Sequence, residues 1–168
     1  MRTLEMFFDY ICPFCKRGYE YLEELIAEDP NLFADIKIEW HPCEAHPRPE
    51  SYGLHSDLCI QGMYFAEDVG ADIWRYHTRM FDATLVSRIN IEDVSALAEF
   101  VSDIVDAEAF TEALTSGRYK ERGQAGNDYA YKTSGIWAVP SYRLDGRELN
   151  AVENVGVTKD ELRAFCLL

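Results

Sequence analysis

The first forty residues carry two strand patterns separated by one helical pattern. Residues 3–10 are rich in aromatic side chains and predict a buried strand. The next stretch, as far as about Glu28, has apolar side chains at helical spacing, and residues 36–40 alternate between apolar and charged side chains as a half-buried strand does. The helical apolar positions are Tyr19, Leu22, Leu25 and Ile26. This order of strand, helix and strand predicts a βαβ unit.

The rest of the chain divides into a long helical stretch and a short C-terminal β segment. Residues 54–133 have mostly helical spacing, with one clear apolar stripe between residues 94 and 105. Asp145-Gly146 is a strong hairpin signal between two short strands within residues 141–149. Residues 158–161 form a capping box that opens a last helix.

These elements predict an α/β protein with a thioredoxin-like fold and an all-helical insertion between the βαβ unit and the C-terminal hairpin and helix. Residues 1–50 and 134–168 would form the discontinuous thioredoxin-like domain, and residues 51–133 the helical insertion. With 168 residues, 48% of them hydrophobic, the chain has the size and composition of one folded domain. Disorder is therefore excluded.

The charge balance narrows the range of partners. Sixteen basic and thirty acidic residues give a net charge of −14. A chain this acidic repels phosphate backbones and anionic lipid, so we expect no nucleic acid and no membrane as a partner. Glu5 and Asp9 interrupt the apolar N-terminal stretch that a secretory signal would need. If the sequence is complete, a cytoplasmic location follows.

The chemistry of the sequence concentrates in Cys12-Pro13-Phe14-Cys15, where the first strand ends and the first helix begins. A thiolate at that junction faces free backbone N–H groups and the positive end of the helix dipole. We therefore assign Cys12 as the attacking nucleophile and Cys15, one turn later, as the resolving thiol. Two inert buried cysteines, or half of a zinc site, are the alternatives.

A second half of the site is predicted at Val139-Pro140, just before the hairpin. In a thioredoxin topology this strand start faces the two cysteines. A cis Val139–Pro140 bond would expose the Val139 backbone beside Cys12, where an extended substrate could pair with it. An ordinary trans proline at a strand end is the alternative.

Three segments resemble the DsbA family of thioredoxin-fold oxidoreductases, and most closely its signal-less, cytoplasmic FrnE-like branch. They are residues 8–15 with the CPFC motif, residues 74–81 in the helical stretch, and residues 134–146 with the Val-Pro-Ser sequence. The resemblance implies an enzyme that exchanges disulfides with protein or peptide thiols. It implies Cys12, Cys15 and Pro140 as catalytic residues, with substrate contacts at Pro13, Phe14 and Val139.

Three departures from the family pattern concern residues of the site. Phe14 stands where periplasmic members carry a histidine that helps to hold a thiolate, so the resemblance does not imply a strong oxidase. A buried carboxylate six residues before the first cysteine serves proton transfer in some members, and here that position is Met6. The Asp9 carboxylate could take over this role, but strand alternation predicts that Asp9 and Met6 lie on opposite faces of the first strand. The usual Ser-Gly-Ala-Gln after the hairpin is replaced by residues 151–154, so no contact is predicted for that turn.

The leading functional hypothesis is a cytoplasmic thiol–disulfide oxidoreductase with no bound cofactor and no metal, and with glutathione as a candidate reductant. The alternative is a glutathione-dependent isomerase or kappa-class transferase on the same scaffold. Those relatives usually carry serine at the first motif position, so the Cys12–Cys15 pair favours the first hypothesis. The sequence does not indicate an oligomeric state.

Several residues attract attention without fitting this chemistry. His77 lies between aromatic residues at helical spacing, which favours a packed histidine over a base. We expect the remaining cysteines and one apolar stripe to be core, although the stripe could line a substrate groove and Cys43 could pair with Cys59. The cysteines are Cys43, Cys59 and Cys166, and the stripe is Met63, Tyr64, Trp74 and Met80.

Overall fold

The computed structural model describes residues 1–168. Strand β1 (Arg2–Phe8), helix α1 (Pro13–Glu28) and strand β2 (Ile36–Pro42) are followed by five helices, α2 (Asp57–Asp68), α3 (Ile73–Leu85), α4 (Val94–Phe100), α5 (Ala107–Thr115) and α6 (Lys120–Asp128). A π-helical turn (Tyr129–Thr133) leads to β3 (Ser141–Leu144), β4 (Arg147–Asn150) and α7 (Lys159–Leu167). The predicted α/β thioredoxin-like fold with a helical insertion is confirmed. None of the helices has the length and apolar character needed to cross a bilayer.

The chain forms two compact units: the sheet unit, residues 1–42 and 130–168, and the helical unit, residues 43–129. The sequence prediction placed these boundaries at 50/51 and 133/134. The loop after β2 lies in the helical unit because side chains hold it there: Asn127 accepts a hydrogen bond from the Glu44 backbone N–H at 2.9 Å and donates one to the Glu44 carboxylate at 2.7 Å.

The sheet of the sheet unit has the strand order β2-β1-β3-β4. β1 pairs in parallel with β2 and antiparallel with β3, and β3 pairs antiparallel with β4. Asp145 and Gly146 both have positive φ, 52° and 75°, as the predicted hairpin turn requires. In this order the C-terminal end of β1, which leads to Cys12, lies beside the start of β3, which follows Pro140.

Helix α1 follows from its sequence. Pro13 occupies the first turn, where a missing N–H costs nothing, and the chain leaves the helix at Asp29. Of the apolar face predicted from helical spacing, Tyr19, Leu22 and Leu25 are buried, together with Cys15 and Gly18, whereas Ile26 is half-buried at its edge. At the other end of the chain, Thr158 and Glu161 form both hydrogen bonds of the predicted capping box and start α7.

The helical unit has an aromatic core. Phe65 packs edge-to-face on Phe110, with ring centroids 5.8 Å apart, and the buried Tyr76 hydroxyl donates to the Cys59 carbonyl at 2.7 Å. One helix is shorter than predicted: the apolar stripe of residues 94–105 suggested a single helix, but α4 ends at Phe100 and the chain then turns. The stripe continues because the turn buries Val101 and Val105 as a helix would.

Candidate active site

Cys12 is the N-cap of α1. Its φ of −95° and ψ of 116° are extended, and its side chain accepts a hydrogen bond from the Cys15 backbone N–H, with 3.3 Å between N and Sγ. The sulfur thus has the position that a serine or aspartate oxygen usually takes at a helix start. A thiolate there is stabilised by a free N–H group and by the helix dipole.

Cys15 has the opposite surroundings. It is fully buried on the face of α1 that packs against the sheet, whereas Cys12 is partly exposed. Both are free thiols in the structure, as are the other three cysteines, so Cys43 and Cys59 are not bonded to each other. Only Cys12 of the pair can meet a molecule from solution, so the structure separates an accessible thiol from an internal one.

The two thiols also differ in acidity, because hydrogen bonds dominate at Cys12 and burial dominates at Cys15. The pKa of Cys12 is lowered, and the largest cause is a hydrogen bond from the Cys15 thiol. Burial raises this pKa, but hydrogen bonds from the backbone N–H groups of Cys15 and Phe14 lower it further. Burial is the main cause that raises the pKa of Cys15 well above that of an ordinary thiol, and its hydrogen bond to Cys12 acts in the same direction. The thiolate therefore resides on Cys12.

Asp9 is a fully buried carboxylate between β1 and the dithiol. The prediction that alternation turns it away from the cysteines does not hold, because β1 ends at Phe8 and Asp9 belongs to the turn that follows. Its Oδ1 accepts from the Ile11 backbone N–H at 3.4 Å, and its backbone carbonyl accepts from the Cys12 N–H at 3.2 Å. The charge of the Asp9 side chain is a weak influence that raises the pKa of both Cys12 and Cys15, whereas a hydrogen bond from the Asp9 backbone lowers the pKa of Cys15.

Replacing this carboxylate should make Cys12 more acidic. In Asp9→Asn a like charge that opposes the thiolate is gone, so we expect the pKa of Cys12 to fall further. The measurement is the pH at which the alkylation rate of Cys12 reaches half its maximum. Asp29→Asn, at the other end of α1, is the matched control and should leave that pH unchanged. An unchanged or higher midpoint in Asp9→Asn would contradict this role.

The Val139–Pro140 loop forms the other wall of the site. The peptide bond is cis, and the Val139 carbonyl oxygen lies 3.8 Å from Cys12 Sγ, where it can accept a hydrogen bond as long as Cys12 is protonated. Pro140 is buried and faces α1. If Gly18 were replaced by alanine, the added methyl group would lie 3.3 Å from Pro140 Cγ. The loop and the dithiol, 127 residues apart in sequence, are therefore neighbours.

A shallow cavity of about 350 Å³ opens beside this wall. Phe14 and Trp137 are exposed on its rim, with 38% and 75% of their surfaces accessible, and Val139 also lines it. The rest of the lining comes from Ala138 and from the turn after β4, residues 151–154, about which the sequence supports no prediction. That turn reaches Phe14 because Gly156 has a φ of 78° and no side chain. If Gly156 were replaced by alanine, the added methyl group would lie only 3.0 Å from the Phe14 ring.

Other sequence candidates lie elsewhere. Met63, Tyr64 and Met80 are buried in the helical unit, as helical stripes usually are. His77 is also buried there, and burial lowers its pKa to about 3, so the imidazole is neutral and packed.

The groups that could hold a metal lie close to groups of opposite charge within the protein. A zinc site that included Cys12 and Cys15 would need further ligands, for which the end of β2 and the loop after it offer His41 and His46. His41 faces Glu5 at 3.2 Å, and His46 lies 3.4 Å from Glu50. The side chains of Glu5, Glu39 and His41 have donor atoms within 4.8 Å of one another on β1 and β2. Lys37 donates to Glu39 at 2.9 Å, however, so these carboxylates have partners without a cation.

Comparison with known proteins agrees with this geometry. Residues 3–163 match the model of the DSBA-like thioredoxin domain family. The uncharacterized protein YwbO of Bacillus subtilis is 25% identical over an alignment 175 positions long, which covers 83% of this chain and 84% of that protein.

Among solved structures, BdbD from Bacillus subtilis has a TM-score of 0.76 at 17% identity and covers 98% of this chain and 85% of its own. DsbA from Chlamydia trachomatis has a TM-score of 0.74 at 14% identity, and the match covers 98% of this chain and 84% of the Chlamydia protein. These two likenesses concern the fold. The match over residues 3–163, together with the helix-capping dithiol, identifies the chain as a member of the DSBA-like thioredoxin domain family of thiol–disulfide oxidoreductases.

Proposed function

We propose that this protein exchanges disulfides with protein or peptide thiols through the Cys12–Cys15 pair. The observation that carries the proposal is the hydrogen bond from the Cys15 N–H to Cys12 Sγ at 3.3 Å, which stabilises an accessible thiolate beside a buried thiol. Thiol–disulfide exchange needs these two properties, an available nucleophile and a second sulfur within reach of it.

The exchange proceeds in two substitutions at sulfur. The Cys12 thiolate attacks one sulfur of a substrate disulfide, and the other substrate sulfur leaves with the electron pair of the broken bond. Cys15 then loses its proton and attacks Cys12 Sγ, which releases the second substrate sulfur as a thiolate. The substrate gains two electrons and becomes a dithiol, and the protein becomes a Cys12–Cys15 disulfide. The reverse sequence oxidises a substrate dithiol.

Substrate recognition combines backbone pairing with apolar contact. The Val139 carbonyl beside Cys12 can accept a hydrogen bond from the backbone of an extended segment. The adjoining cavity has exposed Trp137 and Val152 at its rim, and exposed apolar groups that cluster beside a reactive centre favour an apolar ligand. We therefore infer that the preferred substrate is an extended polypeptide with an apolar side chain near its cysteine.

Polar substitution in the cavity should weaken substrate binding. Val152→Ser removes apolar surface from the rim, so we expect KM for a disulfide peptide with a flanking leucine to rise about three- to tenfold, while kcat stays within about twofold. The matched control is Val86→Ser in the helical unit, since these valines have similar exposure, 57% and 64%. Equal KM values for both variants would show that the cavity does not bind substrate.

No bound cofactor is required by this mechanism, because the two cysteines carry the two electrons. Glutathione is a candidate reductant for the Cys12–Cys15 disulfide. A cytoplasmic location and membership of the FrnE-like branch stay predictions from the sequence.

A further inference from the structure

Tyr142 lies behind the dithiol, where β3 packs against α1. Its side chain is fully buried, and it pairs in the sheet with Met6, the position where some family members carry a carboxylate. A methyl group at Gly18 would overlap the Tyr142 hydroxyl and would lie 3.6 Å from Met6 Cε. Glycine at position 18 therefore leaves the space in α1 that the hydroxyl occupies.

The Tyr142 hydroxyl has no hydrogen-bond partner in the protein. Burying a hydroxyl in this way is unfavourable, and a phenylalanine ring would fill the same space without that cost. Cys15 and Gly18 are three residues apart on α1 and share its buried face, so their side-chain positions are about 5–6 Å apart. An unsatisfied donor thus lies one helical turn from the resolving thiol.

The exchange reaction creates a need for such a donor. In the dithiol state the Cys15 thiol donates to the Cys12 thiolate. Once Cys12 is held in a mixed disulfide, that negative charge is gone, and Cys15 must itself become a thiolate inside the protein. Burial opposes this most strongly. A hydrogen bond from the Asp9 backbone favours the Cys15 thiolate, whereas the charge of the Asp9 side chain opposes it.

We propose that Tyr142 is a positioning residue whose hydroxyl donates a hydrogen bond to the Cys15 thiolate formed during exchange. This inference rests on the proposed function of the dithiol. The phenol keeps its proton throughout, because burial, followed by the charge of Cys15, raises its pKa well above the usual range. Tyr142 therefore acts as a donor, and the proton of Cys15 goes to solvent or to the leaving thiolate.

Other titratable groups face the same region and must be held constant in a test. Asp9 follows β1, Cys12 precedes α1, and Cys166 lies buried on α7, and each interacts electrostatically with Cys15 or Tyr142. The substitution Tyr142→Phe changes none of these groups. It removes one oxygen and retains the ring that packs against Met6 and Gly18.

The test follows the two phases of the reaction of reduced protein with 5,5′-dithiobis(2-nitrobenzoate). The first phase forms the mixed disulfide on Cys12, and in the second phase Cys15 expels the bound thionitrobenzoate. In Tyr142→Phe we expect an unchanged first phase and a second phase about tenfold slower at neutral pH. The pH at which the rate of the second phase reaches half its maximum should rise by about one pH unit. Thermal stability should be unchanged or higher, because the lost hydroxyl had no partner.

Tyr76→Phe is the matched control, since Tyr76 is equally buried but donates its hydroxyl to the Cys59 carbonyl. It should lower thermal stability and leave both phases unchanged. A second phase of wild-type rate and pH midpoint in Tyr142→Phe would overturn the proposal. If the wild type shows no second phase, the proposed function fails instead. Titration of Cys15 in a Cys12→Ser background, by mass-spectrometric alkylation, then still tests Tyr142 and should show a raised pKa in Tyr142→Phe.

Discussion

Cys12→Ser is expected to lower the rate of disulfide reduction by more than about a thousandfold, because a serine hydroxyl cannot form the nucleophile that the N-cap position stabilises. Cys15→Ser should behave differently. Its Cys12 can still attack, but no second sulfur resolves the product, so mixed disulfides with substrate should accumulate. Turnover of a disulfide peptide, and mass spectrometry of the trapped species, measure the two effects.

Cys59→Ser is the control for this pair, since Cys59 is a buried thiol of the helical unit. It should retain activity close to that of the unsubstituted protein. If Cys12→Ser keeps a tenth or more of the activity, the nucleophile is another residue. If Cys15→Ser turns over normally without trapped adducts, the second step does not use a protein dithiol, and the glutathione-dependent alternative gains support.

Alkylation should distinguish Cys12 from the other four thiols by a factor of about a hundred or more. Cys12 is partly exposed with a lowered pKa, whereas the others are fully buried, and burial raises the pKa of Cys166 to about 11. Because the pKa of Cys12 is lowered, its reaction with limiting iodoacetamide should be well advanced at a pH where ordinary thiols react slowly. Peptide mapping identifies the modified residue.

The same reaction in denaturant supplies the control for the alkylation experiment. All five cysteines should then react at similar rates, because neither burial nor the helix N-terminus acts on an unfolded chain. Preferential labelling of Cys43, Cys59 or Cys166 in the folded protein would contradict the assignment of Cys12.

Local sequence signals predicted the framework of the site well. The strand-to-helix junction at Cys12, the Asp145-Gly146 turn and the Thr158 capping box each depend on residues within about one helical turn of one another, so they can be identified without the rest of the chain. The position of Pro140 opposite Cys12 required one further step, the thioredoxin topology that these elements imply.

The parts that could not be predicted depend on contacts between distant residues. The cavity beside Cys12 joins Phe14 to Trp137 and Val152, more than 120 residues away, and no spacing in the sequence relates them. The role of Asp9 depended on β1 ending one residue before it, and helix and strand ends are the least certain part of such predictions. The space above Gly18 that receives the Tyr142 hydroxyl arises only when α1 packs on the sheet.

The central claim is that Cys12 and Cys15 form one two-electron redox centre, and a redox titration with disulfide mapping tests it most directly. The protein is equilibrated in glutathione buffers of increasing oxidation, quenched with acid and alkylated. Peptide mass spectrometry then locates each bond. We predict a single transition in which Cys12 and Cys15 together lose two hydrogens and form a disulfide with each other. The fraction of this disulfide should depend on the squared concentration of reduced glutathione divided by the concentration of oxidised glutathione. A glutathione adduct that persists on Cys12 while Cys15 stays a free thiol would contradict the claim.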